Sequence, residues 1–236
     1  VRRLWPLLFL PALLLPELAL DLFGGGAAPD LHHWLGTDAL GRDAMARLLL
    51  TAAQTGGFAT LCALGALLSA WLLATMGAGT QSLFSALRAL PALLWLIPLA
   101  SLIGGLERPL LALLIALLLA PHLEAPLRVK AGALLSSPAW AMGRIQGATR
   151  PQRLLRWAPW AANEAALLFP SAWLGALWTE VTLSALGLGS GPRTDSFGRL
   201  LADELPKLVM GTASAWAALL LMLGLAWSLS FPEPAP

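Results

Sequence analysis

The chain has a single cysteine, Cys62, no tyrosine, and only 12% charged residues in a length of 236. One cysteine excludes an intrachain disulfide and a cysteine pair for metal or redox chemistry. Charge at this level is about half the roughly 25% of a soluble globular domain, so there is not enough of it to clothe a water-facing surface. Familiar catalytic patterns are missing as well. There is no His-Glu-x-x-His pair for a metalloprotease, and Ser190, set between glycines, has no evident His/Asp partnership. The glycines at 187, 189 and 191 follow an apolar run instead of a strand and lack the Lys-Ser/Thr that would hold nucleotide phosphates, so this chain is not expected to bind ATP itself. No catalytic residue, cofactor site or metal site is expected. His32 and His33, with Asp30 and Asp38, read as plain surface residues in preference to a divalent-metal site.

What the chain has in abundance is hydrophobicity: 58% hydrophobic residues and a mean hydropathy of +0.72. These values belong in a bilayer. A span takes about 20 mostly apolar residues, and the polar joints leave room for about six, so the expectation is an all-α, polytopic transmembrane helix bundle forming one domain over residues 1–236. The first run, residues 4–20 of a segment 1–22, comes after Arg2 and Arg3. Its prolines 6, 11 and 16 and the lack of a small-x-small cleavage site favour a kinked, uncleaved span over a signal peptide. A polar stretch over 23–55 comes next. Further spans are expected over 56–76, 83–103, 109–123, 165–186 and 208–229. The span at 109–123 is short for a full crossing unless it extends into 122–127. Gly56, Gly57, Ala59, Ala63, Gly65, Ala66 and Ala70 supply the small surfaces through which membrane helices approach closely.

Of the fifteen Lys and Arg residues, Arg128, Lys130, Arg144, Arg150, Arg153 and Arg156 lie in the segment 124–163. Short loops rich in Lys and Arg stay on the cytoplasmic side, which places this loop and both termini inside and residues 23–55 outside. Trp5, Trp34, Trp157, Trp160 and Trp178 fall near span ends, where an indole favours the interface. A net charge of +2, without a basic stripe, gives no reason to expect nucleic acid.

Residues 34–43 read Trp-Leu-Gly-Thr-Asp-Ala-Leu-Gly-Arg-Asp, a polar island whose Gly36, Thr37, Asp38, Gly41, Arg42 and Asp43 stand in a specified order. This string resembles the Leu-Gly-Thr-Asp-x-Leu-Gly-Arg-Asp signature of one permease subunit, the C-type subunit, of dipeptide, oligopeptide and nickel ABC importers. A second resemblance lies over 180–198. There Glu180, Leu183, Ser184, Leu186, Gly187, Leu188 and Gly189 match the family's Glu-Ala-Ser-Leu-Ser-Phe-Leu-Gly-Leu-Gly run, and Pro192, Ser196 and Gly198 match positions beyond it. A third is partial: Arg144, Gly147, Ala148 and Thr149 match the Arg-x-x-Gly-Ala-Ser portion of the loop that couples importer permeases to their ATPases. Ala141, Met142 and Gly143 stand where that motif has Glu, Ala and Ala. Ala53 replaces a usual arginine, and Arg193 and Phe197 replace a proline and a tryptophan.

The resemblance covers nearly the whole chain. It implies the type I importer permease fold in a bacterial inner membrane, with about half of a translocation path for di- or oligopeptides formed here. Partners would be a homologous second permease, two ATPase subunits that use ATP, an external solute-binding protein, and lipid. A nickel or metal-chelate permease of the same family is the alternative, and a stand-alone secondary transporter or an intramembrane hydrolase fits less well. On this view Arg144, Gly147, Ala148, Arg150 and Arg153 form the coupling loop, and Glu180, Ser184, Gly187 and Gly189 a gate or helix end. For Glu180 two roles stay open, a pathway contact or a helix-end carboxylate bonded to the glycine-rich turn.

Overall fold

A computed structural model describes residues 34–37, 41–75, 85, 88, 92–103, 107–189, 196–208, and 217, 218, 220, 221, 223 and 224. The expected first span and most of the expected sixth lie outside these residues. The described chain is helical, with no strand among the described residues beyond an isolated bridge between Thr37 and Asp43. The helices are α1 (Ala44–Thr75), α2 (Ala92–Ile103), α3 (Arg108–Leu135), α4 (Pro138–Ile145), α5 (Arg150–Arg156), α6 (Ala158–Ala185) and α7 (Phe197–Leu208). Three of them, α1, α3 and α6, are long and apolar enough to cross a membrane.

α1 is the central element, packed most extensively on α3 and then on α6. The reason is its small face. Ala59, Ala63, Ala66 and Ala70 are fully buried, while Leu61, Leu64, Leu68 and Leu72 lie on the exposed side. At the closest approach, a Cβ on Gly65 would stand 3.1 Å from the Cβ of Ala116. Small residues let backbones approach and gain dispersion contacts where the surrounding solvent supplies no hydrophobic drive. Gly65 beside Ala116, with Leu73 beside Arg128 further along, makes α3 run parallel to α1. α6 runs antiparallel: Trp173 donates its indole N–H to Gly56 O (3.2 Å) and Thr60 Oγ1 (3.0 Å), and Trp160 meets Trp71 edge-on at 5.9 Å. Trp173 has no exposed surface, so these two acceptors satisfy a polar group that water does not reach.

Helix boundaries differ from those drawn on hydropathy alone. α1 starts at Ala44, so the polar stretch expected to reach residue 55 ends at Asp43, whose carboxylate caps the helix. α3 continues to Leu135 through Pro121 and Pro126, and the segment 124–163 is therefore not a simple loop. It holds the last turns of α3, the short helices α4 and α5, and the first turn of α6. Twenty-eight residues of helix measure about 42 Å, against a hydrocarbon core of about 30 Å, so α3 has length to project beyond the bilayer. The connector after α6 carries α7, and Pro98 sits inside α2.

Candidate functional site

Two clusters form at opposite ends of α1. At its N-terminus, Gly36 and Gly41 adopt left-handed φ of 76° and 78°, and an antiparallel bridge sets Thr37 beside Asp43. Ala44 N–H donates to Gly36 O at 3.1 Å. Asp43 Oδ1 accepts from Met45 N (2.8 Å) and Ala46 N (3.2 Å), which meets orphan amides of the first turn and sets a carboxylate at the positive end of the helix dipole. Thr37 and Arg42 are half-buried there. Asp38 lies outside the described residues.

The second sequence motif arrives at this same end. α6 closes at Leu186, and Gly187, with φ 75°, supplies the left-handed residue beyond it. Gly187 N donates to Ser184 O (3.1 Å) and Leu188 N to Leu183 O (2.8 Å), the paired bonds of a Schellman stop. The chain then folds so tightly that a Cβ on Gly189 would lie 2.8 Å from Ser184 Cα, and one on Gly198 would overlap the carbonyl oxygen of Val181. Ser196 caps α7, and Phe197 N donates to Thr55 Oγ1 at 3.0 Å, fastening α7 to α1. Arg47 faces Asp203 at 3.7 Å.

Glu180 is buried one turn before this stop, 3% exposed. Its Oε1 accepts from Ser184 Oγ at 2.7 Å, and its Oε2 has no hydrogen-bond partner among the described residues. The carboxylate is thus bonded within its own helix and not to the glycine turn. A buried carboxylate oxygen without a donor is a costly arrangement in a membrane interior.

The other end is basic. Arg128 pairs with Glu124 one turn earlier and donates to Leu73 O at 3.3 Å. Arg88 approaches Glu124 at 3.7 Å. Arg150, at the start of α5, donates to Thr75 O. The last carbonyls of α1 are therefore held by two guanidinium groups from distant parts of the chain, which meets orphan acceptors and the negative end of the dipole together. Lys130 pairs with Glu164 at 3.2 Å.

The remaining coupling-loop residues form an elbow between α4 and α5. Gly147, φ 78°, is the left-handed residue of a second Schellman stop: Gly147 N donates to Arg144 O and Ala148 N to Gly143 O, each at 3.0 Å. A Cβ there would meet nothing within 4 Å, so the turn requires glycine for its dihedral angle and not for close approach. Arg153 lies over the Trp140 ring at 4.5 Å and packs on Gly143. Arg144 projects outward with Ile145.

Several of these contacts have no clear sequence signal. By polarity Glu124 opens a loop, although its spacing to Arg128 is that of a helical ion pair and could have revealed the longer helix. No local pattern announces Arg150 on Thr75, or Phe197 on Thr55, because both join residues far apart in the chain. A scan against protein-family models matches none, and a search of curated proteins likewise gives no match.

Proposed function

We propose that the chain is the transmembrane permease subunit of a bacterial ABC importer, with the six-span type I permease fold, forming half of a path for di- or oligopeptides. The observation that carries this reading is the sorting of its motifs. The described residues of the two motifs, 34–37 with 41–43 and 180–189 with 196–198, are remote in sequence and meet through α1, α6 and α7 at one end of the bundle, while the arginine-rich elbow of α4 and α5 lies by the opposite end of α1. An importer permease needs this division: a face toward the delivered solute and a face toward the ATPases. The elbow is tied to α1 through Arg150, giving a structural link from one face to the other. The permease performs no chemistry of its own, and ATP is hydrolysed by its partners.

The test is expression in a bacterial host with the host's candidate ATPase and second-permease subunits, followed by purification on a tag carried by this chain. An importer permease brings ATPase subunits with it and supports ATP-dependent uptake in proteoliposomes. Uptake by this chain alone, driven by an ion gradient without any ATPase, would overturn the proposal. Cysteines placed at Trp34 and Gln152 in a Cys62-free background should label from the outside and the cytoplasmic side respectively.

A further inference from the structure

The basic side chains around the elbow fall into two groups. Arg88 and Arg128 meet Glu124, Arg128 and Arg150 reach carbonyls of α1, and Lys130 meets Glu164. Arg144, Arg153 and Arg156, by contrast, make no hydrogen bond or ion pair to any described residue. Two of these three, Arg153 and Arg156, line one groove of about 520 Å³ between α4 and α5, within the roughly 300–1,000 Å³ of small-molecule sites.

The groove's chemistry is one-sided. Besides the two guanidinium groups it presents Gln146 and Gln152 and no acidic side chain. Gln152 already accepts from Thr149 N with its amide oxygen at 2.9 Å, which leaves its amine to donate. The rest of the lining is apolar, with Ala139, Met142 and Trp157 prominent. Two guanidinium groups without an opposing carboxylate, set beside an apolar wall, suit an anion that carries a greasy extension.

Its position narrows the choice of anion. α5 begins at Arg150, bonded to the last residue of α1, and ends beside Trp157. Three residues on, Trp160 stacks edge-on against Trp71, in the last turns of α1. The groove therefore lies level with the ends of two spans, at the depth where indoles and phosphate head groups meet. Ile145 and Leu155, 77% and 76% exposed, flank it with apolar surface.

We infer that this groove holds the head-group phosphate of an anionic phospholipid from the leaflet at the basic end, with Arg153 and Arg156 as its cationic ligands. The site requires only that the chain lie in a membrane, and it uses the same elbow that the transport reading turns toward the ATPases.

Native mass spectrometry of the full chain in mild detergent tests it, with phosphatidylglycerol, phosphatidylcholine or inorganic phosphate added. Phosphatidylglycerol should be retained over phosphatidylcholine. Two arginines near a membrane surface imply that Arg153→Gln with Arg156→Gln weakens that retention by about tenfold or more. Arg156→Lys should keep most of it. Arg144→Gln, which removes the same charge outside the groove, should leave it near the wild-type level, and circular dichroism should show all variants folded. Equal retention of the two lipids, or equal losses in Arg144→Gln and Arg156→Gln, would overturn the site. So would saturation by inorganic phosphate alone, which would remove the lipid as the source. Unchanged lipid retention in the double variant, accompanied by loss of co-purifying ATPase subunits, would assign the groove to a protein partner and reject the inference.

Discussion

The two ends of α1 are finished by opposite means. At the N-terminus a single carboxylate, Asp43, is supplied by the adjoining residue. At the C-terminus two guanidinium groups arrive from Arg128 and Arg150, far along the chain. One end is local and can form with the helix itself. The other forms only when α3 and α5 have docked. Asp43 and Arg150, which the sequence motifs assign to function, thus also cap a helix, and the C-terminal cap of α1 depends more on tertiary structure than its N-terminal cap does.

The sharpest way to break this contrast is Glu124→Ala. Glu124 is 2% exposed and faces both Arg88 and Arg128. Removing it withdraws one carboxylate from both arginines, and because both are partly exposed the loss should fall at the low end for a broken buried pair, about 3 kcal/mol. Denaturant unfolding in micelles measures it; a loss below about 1 kcal/mol would show the cluster to be energetically superficial.

Gly198→Ala probes the motif end. The new Cβ would press on a backbone carbonyl, that of Val181, and stand 2.9 Å from Ser184 Cβ, so α7 must shift away from α6. Overpacking of this kind costs about 2 kcal/mol. Loss of protection of the Phe197 amide, bonded to Thr55, is the accompanying signal in hydrogen exchange, and an unchanged amide would sink the explanation.

Gly147→Ala sharpens the comparison within the basic end. Nothing obstructs the added Cβ, and the effect is that of a left-handed dihedral angle, roughly 1–2 kcal/mol. Its readout is faster hydrogen exchange confined to the α4–α5 elbow. If Asp43→Ala is made next, the cost is about 1 kcal/mol for a lost N-cap, with faster exchange at Met45 and Ala46. The smallest effect is expected for Arg150→Gln, about 0.5 kcal/mol from cap and dipole. Should Asp43→Ala prove milder than Arg150→Gln, the ranking of local over distant capping reverses.

The helical class and the apolar character of three spans are legible in the sequence because they come from composition and from runs of residues such as 110–120. The stops at Gly147 and Gly187 are half-legible: glycine marks the place, but only the flanking bonds show that both are Schellman motifs. Hydropathy misjudges where helices begin and end, since it scores Gln54 and Thr55 as loop-like although both are buried inside α1. Charge type is an equally poor guide to where a side chain goes. Arg150 and Arg153 alike suggest an outward contact by type and spacing; the first is bound to Thr75, and the second lies over Trp140 while lining the groove. The Arg150 contact joins segments 75 residues apart, and no local pattern encodes it.

The prolines give the bundle a mechanical character. Pro121 and Pro126 each remove one rung from the backbone ladder of α3, and Pro170 removes one from α6, whereas α1 contains none. Missing rungs are where long helices bend. α1 accordingly keeps its proline-free ladder between caps at both tips, and its two large neighbours do not. α1 joins the elbow at Arg150 to the turn at Asp43, and were the elbow to move, the missing rungs of α3 and α6 are where bending would cost least.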